Sequence, residues 1–120
     1  MLTISQHQHQ NTYAIVLCTC GSEHAANTLA QQLVELNLAA CVNILPNIRS
    51  VYKWQGKVEI AQETQLIIKT LVSKFHLLES AIKQHHDYDV PEIIMLPVEG
   101  GSDDYLSWIN QSLDTNTVDR

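Results

Sequence analysis

Positive charge is scarce in this chain. Seven Lys and Arg stand against thirteen Asp and Glu in 120 residues, a formal net charge of −6, and the first Lys or Arg is Arg49. Nucleic-acid binding draws on Lys and Arg to displace counterions, so a polyanion partner is not expected. Long apolar runs are also missing: no segment approaches the about 20 apolar residues that span a bilayer. The first ten residues have neither a basic nor an apolar region, so no secretory signal is read there. Cysteines number three, an odd count. Cys18 and Cys20 are too close along one strand to bridge each other well. Free thiols in a chain without a signal lead us to expect a reducing cytoplasm. Also absent are a Ser-His-Asp or Cys-His-Asn spacing and a glycine loop that would cradle phosphate. The chain does not read as an enzyme.

Apolar residues make up 45%, enough for one core without disulfide or metal staples. Residues 1–11 read as a polar, flexible tail in which His7-x-His9 is at most a weak metal ligand. A single domain is expected over 12–113, followed by a polar tail over 114–120. Tyr13–Cys20 is an apolar run ended by Gly21-Ser22, which predicts a strand covered on both faces. Ser22 is placed to cap a helix over about 23–37, with Ala26, Leu29, Ala30, Leu33 and Leu36 on one stripe and Asn37 as its stop. A second strand starts at Ala39 and is interrupted at Pro46. The chain continues extended to Trp54, turns at Gln55-Gly56, and returns as a long strand to Leu71. The polar stretch Glu59–Thr64 suggests a bulge. Ser73 is placed to cap a helix over about 74–86 that carries Phe75, Leu78 and Ile82 inward. A fourth strand is expected between Pro91 and Pro97, and Ser102 is placed to cap a short final helix with Tyr105, Trp108 and Ile109 on its apolar face.

The order β-α-β-β-α-β plus a short helix predicts an α+β, ferredoxin-like split βαβ fold with an antiparallel sheet in the order 4-1-3-2. The prolines agree: they fall on strands 2 and 4, the expected edges, where a missing N–H breaks no central ladder. Tracing strand directions puts Cys18, Cys20, the start of helix 1, the hairpin tip with Trp54, and the segment from His85 to Asp89 at one end of the domain. The β2–β3 hairpin is longer than one domain needs, so its tip is expected to project and to pair with another subunit.

Thiolate and imidazole together suit Cu(I), Cu(II) and Zn(II). Cys18 and Cys20 point to the same face of a strand. Adjacent histidines on a helix diverge by about 100°, so His85 and His86 are not expected to bind one ion together unless the helix has unwound. The bland readings stand beside this one. A strand cysteine is often a small buried hydrophobe, as for Cys20 or Cys41. His85 can serve as a cation at a helix C-terminus. Tyr52 and Trp54 read as packing or interface residues. Separately, a helix N-terminus at Gly21-Ser22 can attract a small anion, which supports a ligand-sensing assembly in place of a metal protein.

Six segments carry a family resemblance: Val16-Leu-Cys-Thr19, Leu38-Ala-Ala-Cys-Val-Asn43, Ser50-Val-Tyr-Lys-Trp-Gln-Gly-Lys57, Ile68-Lys-Thr70, His85-His86-x-Tyr88-x-x-Pro91-Glu92 and Tyr105-Leu-Ser-Trp-Ile109. Together they resemble the divalent-cation tolerance protein (CutA) family over about residues 12–113. The resemblance implies a ferredoxin-like domain in a tight homotrimer like that of the PII signalling proteins. Its hairpin arms pair between subunits, which would engage Tyr52, Trp54 and Gly56. It also implies tolerance of copper (Cu2+) and other divalent cations, with Cys18, His85 and His86 in the positions of the copper ligands. Cys20 has no clear counterpart in the family pattern. The competing reading is a PII-like signalling or scaffold trimer that binds a small anion or a protein partner in the inter-subunit cleft.

Overall fold

Strand and helix signals alternate along the chain, and the computed structural model arranges them as one four-stranded sheet with helices on it. It describes residues 12–114. The expected tails over 1–11 and 114–120 lie outside the described residues except for Asp114, as does the His7-x-His9 pair. The elements are β1 Tyr13–Cys20, α1 Glu23–Glu35, β2 Cys41–Trp54, β3 Lys57–Leu71, α2 Phe75–His85, β4 Ile94–Pro97 and α3 Asp103–Ser112. The sheet order is β2-β3-β1-β4, antiparallel throughout, which is the ferredoxin-like order that the element sequence predicts. No helix among the described residues is long and apolar enough to cross a membrane.

The core lies between the sheet and the first two helices. Val16, Cys18, Leu66 and Ile68 meet Leu29, Leu33, Leu78 and Ile82, and all are buried. β1 alternates: Ala14, Val16, Cys18 and Cys20 are fully buried, while Tyr13, Ile15 and Leu17 are half-buried. The strand expected to be covered on both faces therefore has one well-covered face within a single chain. α3 approaches the opposite face, where the Lys69 ammonium sits 5.7 Å from the Tyr105 ring centroid. One buried polar bond ties this core to a loop: Thr70 Oγ1 donates to the Leu38 carbonyl at 2.8 Å.

Capping follows the sequence at two of three helices. Ser22 Oγ accepts the Ala25 N–H and Ser102 Oγ accepts the Tyr105 N–H, each satisfying an otherwise unpaired donor of the first turn. Asn37, with φ of 59°, ends α1 in the left-handed region, as a helix stop does. α2 departs from expectation. Ser73 lies in a 3-10 turn over Val72–Lys74, and the N-cap is Lys74 with no side-chain bond.

The long hairpin turns through Gln55 (φ 51°) and Gly56 (φ 81°). Two successive left-handed residues make the turn whose twist matches paired strands. The bulge is not in Glu59–Thr64 but on the partner strand between Leu45 and Ile48. Pro46 has no N–H to give the ladder, and Asn47 takes a positive φ of 64°, fastened by Gln62 Nε2 donating to Asn47 Oδ1 at 2.6 Å. Beyond the bulge the ladder runs to Trp54 opposite Lys57. At ~3.4 Å per residue the tip lies about 20 Å past Ile48, so Trp54 stands clear of the rim that holds the cysteines.

β4 is shorter than the proline-bounded run. It pairs only from Ala14 opposite Pro97 to Leu17 opposite Ile94. The last three residues of β1 thus have β3 on one side and no β4 on the other.

Candidate metal centre

That shortfall builds the site. The Tyr13 carbonyl accepts the Val98 N–H on the β4 side. Carbonyls two residues apart along a strand point the same way, so the Thr19 carbonyl also faces the β4 side, past the point where β4 ends. His86 fills the gap: its Nε2 lies 2.6 Å from the Thr19 oxygen. His86 reaches it because α2 has ended. Its own N–H closes the last turn on the Ile82 carbonyl at 2.8 Å, and its backbone is extended at φ −85° and ψ 143°. The residue is half-buried because its backbone is open, but the imidazole itself is 1% exposed.

Cys18 and Cys20 sit on the same face of β1. The donor atoms of Cys18, Cys20 and His86 all lie within 4.8 Å of one another. His85 is outside this group. It is exposed, and its Nδ1–H donates to the Ala81 carbonyl at 2.9 Å, folding the ring back along its own helix. Of the three candidate ligand residues, the structure brings Cys18 and His86 together and leaves His85 apart. Sequence reasoning set Cys20 beside Cys18 on one strand face as a candidate thiol of the site and weighed it against a buried hydrophobe, while the family resemblance gave it no counterpart; the structure puts its sulfur in the group. Cys41 is half-buried and pairs with Lys69, far along the sheet from the cluster.

Both nitrogens of His86 are engaged. The Tyr88 N–H donates to Nδ1 at 3.0 Å, so Nδ1 offers a lone pair and the ring proton sits on Nε2, which donates to the Thr19 carbonyl. The two partners agree on one tautomer. Asp87 Oδ1 is also 3.5 Å from Nδ1, but a proton there would face the Tyr88 N–H, so in this tautomer the contact is not an ion pair. To offer a lone pair to an ion, the imidazole gives up one of these bonds.

Tyr88 covers the group from the outside. Its ring centroid is 4.8 Å from that of His86, and its hydroxyl donates to Glu63 Oε2 at 2.7 Å. Gly21 lies directly under it: a Cβ there would meet Tyr88 Oη at 3.2 Å. Burial raises the Tyr88 phenol above its ordinary pKa, and the bond to the Glu63 carboxylate raises it further. Sequence reading quoted Tyr88 only as part of a motif. Its partners, Glu63 and Gly21, carried no local signal.

The two thiols perturb each other. The hydrogen bond with Cys20 pushes the Cys18 thiol up, and burial adds to the rise. The same bond pulls the Cys20 thiol down. Cys20 is thus the readier thiolate, while the Cys18 S–H has the Thr19 carbonyl 3.9 Å away as a weak acceptor. A pair of buried thiols with a buried imidazole is a soft-to-borderline donor set. Sulfur ligands at ~2.3 Å in a tetrahedral arrangement are about 3.8 Å apart, so donors now within 4.8 Å would close by at most about 1 Å.

An open depression of about 270 Å³ adjoins the centre, lined by Gly21, Ser22, Glu23, Asn47, Gln62, Glu63 and Thr64. It contains the α1 N-terminus expected to attract an anion. Two carboxylates on its wall oppose the helix dipole and repel an anion.

Residues 14–112 match the family described as CutA1 divalent ion tolerance protein. The divalent-cation tolerance protein CutA of Pectobacterium atrosepticum is 48% identical over 99 residues, covering 82% of this chain and 90% of that protein. CutA1 from Oryza sativa has a TM-score of 0.85 at 42% identity, covering 88% of this chain and 97% of that one. The periplasmic divalent cation tolerance protein CutA from Archaeoglobus fulgidus has a TM-score of 0.82 at 37% identity, covering 85% and 99%.

Proposed function

The chain belongs to the CutA1 divalent ion tolerance family, and on that premise we propose that it is a divalent-cation tolerance protein that binds copper or a similar ion at the end of β1. One observation carries the reading: Cys18 and His86, from segments far apart in sequence, converge as buried donors within 4.8 Å. Nothing in the fold of a small sheet requires a thiol and an imidazole to meet there, and soft or borderline ions are what that pair binds. The role is binding, not catalysis. Free thiols in the site call for a reducing compartment, and we place the protein in the cytoplasm; fractionation of the source cells tests that.

We also read the assembly as a homotrimer. Val51, Trp54, Val58 and Ile60 on the hairpin and Ile94 and Leu96 on β4 are exposed, an apolar surface that calls for a partner. Among the described residues no strand pairs with the outer side of β2 or of β4, and such edges are open to pairing. Tyr52, Trp54 and Gly56 belong to the arm that would reach a neighbour. Light scattering should give three times 13.5 kDa, and a monomer would overturn the assembly.

Titration calorimetry with Cu(II), and with Cu(I) under reducing conditions, tests the metal reading on the wild type and on Cys18→Ser and His86→Ala. Weaker binding in both variants is expected. Equal affinity in all forms, or none in any, refutes it.

A further inference from the structure

The geometry points to Cys20, and not His85, as the third protein ligand, which makes the centre a two-thiolate, one-imidazole site for a thiophilic divalent cation of the zinc class. This rests on the reading that the chain binds metal at this rim and goes on to say with which residues.

Three observations carry it. First is placement: Cys20 Sγ is in the same 4.8 Å group as Cys18 and His86, whereas the His85 ring is exposed and bonded to its own helix. His85 sits on the last helical turn and His86 beyond it, so their side chains leave the backbone in different directions. Second is burial: Cys18 and Cys20 are 0% and 2% exposed. A cation taken into such a pocket needs its charge compensated on the spot. Two thiolates neutralise a +2 ion, whereas one thiolate with neutral imidazoles leaves a buried net charge of +1. Third is donor softness: two sulfurs and one imidazole favour thiophilic ions over the oxygen-seeking divalent cations. Three protein donors also leave a tetrahedral ion one open position.

Co(II) serves as a spectroscopic probe, with Zn(II) as competitor, on the reduced full-length protein under anaerobic conditions. Sulfur-to-cobalt charge-transfer absorption reports the number of bound thiolates directly. The wild type should show a two-thiolate band that Zn(II) bleaches. Cys20→Ser should keep about half of that intensity and lose affinity by at least the roughly 10–100-fold that even outer-shell partners are worth. His85→Ala should leave intensity and affinity unchanged. Cys20→Ala is the second variant, because a serine hydroxyl in a buried site can disturb folding; circular dichroism verifies both. A full band in the folded Cys20 variants together with a loss in His85→Ala would overturn the assignment while leaving metal binding intact. Absence of Co(II) and Zn(II) binding in the wild type, with Cu(I) or Cu(II) still bound, would overturn the ion class. Absence of all binding would overturn the metal reading itself.

Discussion

His85→Ala and His86→Ala, adjacent and chemically identical substitutions, should differ in stability by several-fold even with no metal present. His86 gives the Thr19 carbonyl its partner at 2.6 Å and takes the Tyr88 N–H at 3.0 Å, with its ring 1% exposed and 4.8 Å from the Tyr88 ring. Truncation leaves the Thr19 acceptor with only the weak Cys18 S–H at 3.9 Å, at about 1–3 kcal/mol. The Tyr88 N–H is near solvent and can rewet, so its loss costs little. Removing the ring leaves a void, adding about 1 kcal/mol. The sum is about 2–4 kcal/mol. His85 is exposed and bonds only to its own helix, so its truncation should cost less than ~1 kcal/mol, including any charge effect at the helix C-terminus. Urea unfolding of apo protein at equal chain concentration measures both. With slopes of about 1–3 kcal/mol/M, the His86 variant should lose roughly 1–2 M in midpoint. Midpoints within experimental error of each other would refute the assignment of His86 as the anchor of this rim.

Thr70→Val should destabilise by about 1–3 kcal/mol, because a fully buried donor to the Leu38 carbonyl is removed with little change in shape; Thr70→Ser should retain most of the stability in the same urea assay. Gly56→Ala should cost about 1 kcal/mol from the left-handed backbone alone, since φ is +81° and no atom lies within 4 Å of the added Cβ; Gly56→Asn should cost less, and equal melting of all three proteins would contradict the turn. The Tyr88 phenol, raised by burial and by Glu63, should ionise later than an ordinary tyrosine in an absorbance titration at alkaline pH. Glu63→Gln should bring it down. A raised folded-state pKa means that the protonated phenol is the favoured form. Its contribution to stability is complete below the unfolded value of about 10 and is lost as pH rises towards the folded one. A Tyr88 that titrates unchanged in the Glu63 variant would count against that bond.

The fold was legible to the extent that local chemistry decides it. Ser22 and Ser102 announced their helices because a hydroxyl before an apolar stripe has one good use, and Gln55-Gly56 announced the turn. Prolines at 46, 91 and 97 marked the edges because a missing N–H is tolerated only there. The misplacements have equally local causes. Polar residues at Glu59–Thr64 resembled a bulge, but an exposed strand is polar too, and the break fell at Pro46, where the ladder lost a donor. Ser73 resembled a cap, but a 3-10 turn preceded the helix. The run from Pro91 resembled a full strand, yet only Ile94–Pro97 found partners on β1.

By itself the sequence determined the order of elements, hence the topology, and through it the nearness of the β1 end to the α2 end. That much follows from periodicity, caps and proline placement, each a property of a few adjacent residues. Tertiary structure alone decided which side chains meet. β4 stops at Leu17, which leaves the Thr19 carbonyl open. The helix ends one residue before His86, which turns that ring inward and its neighbour outward. Gly21 makes room for Tyr88, and Tyr88 reaches Glu63. Each of these depends on where an element ends in space. A shift of one residue moves a side chain to the other face of a strand or by about 100° around a helix. The sequence therefore pointed to the rim, and the packing set Cys20 beside Cys18 and His86 within it.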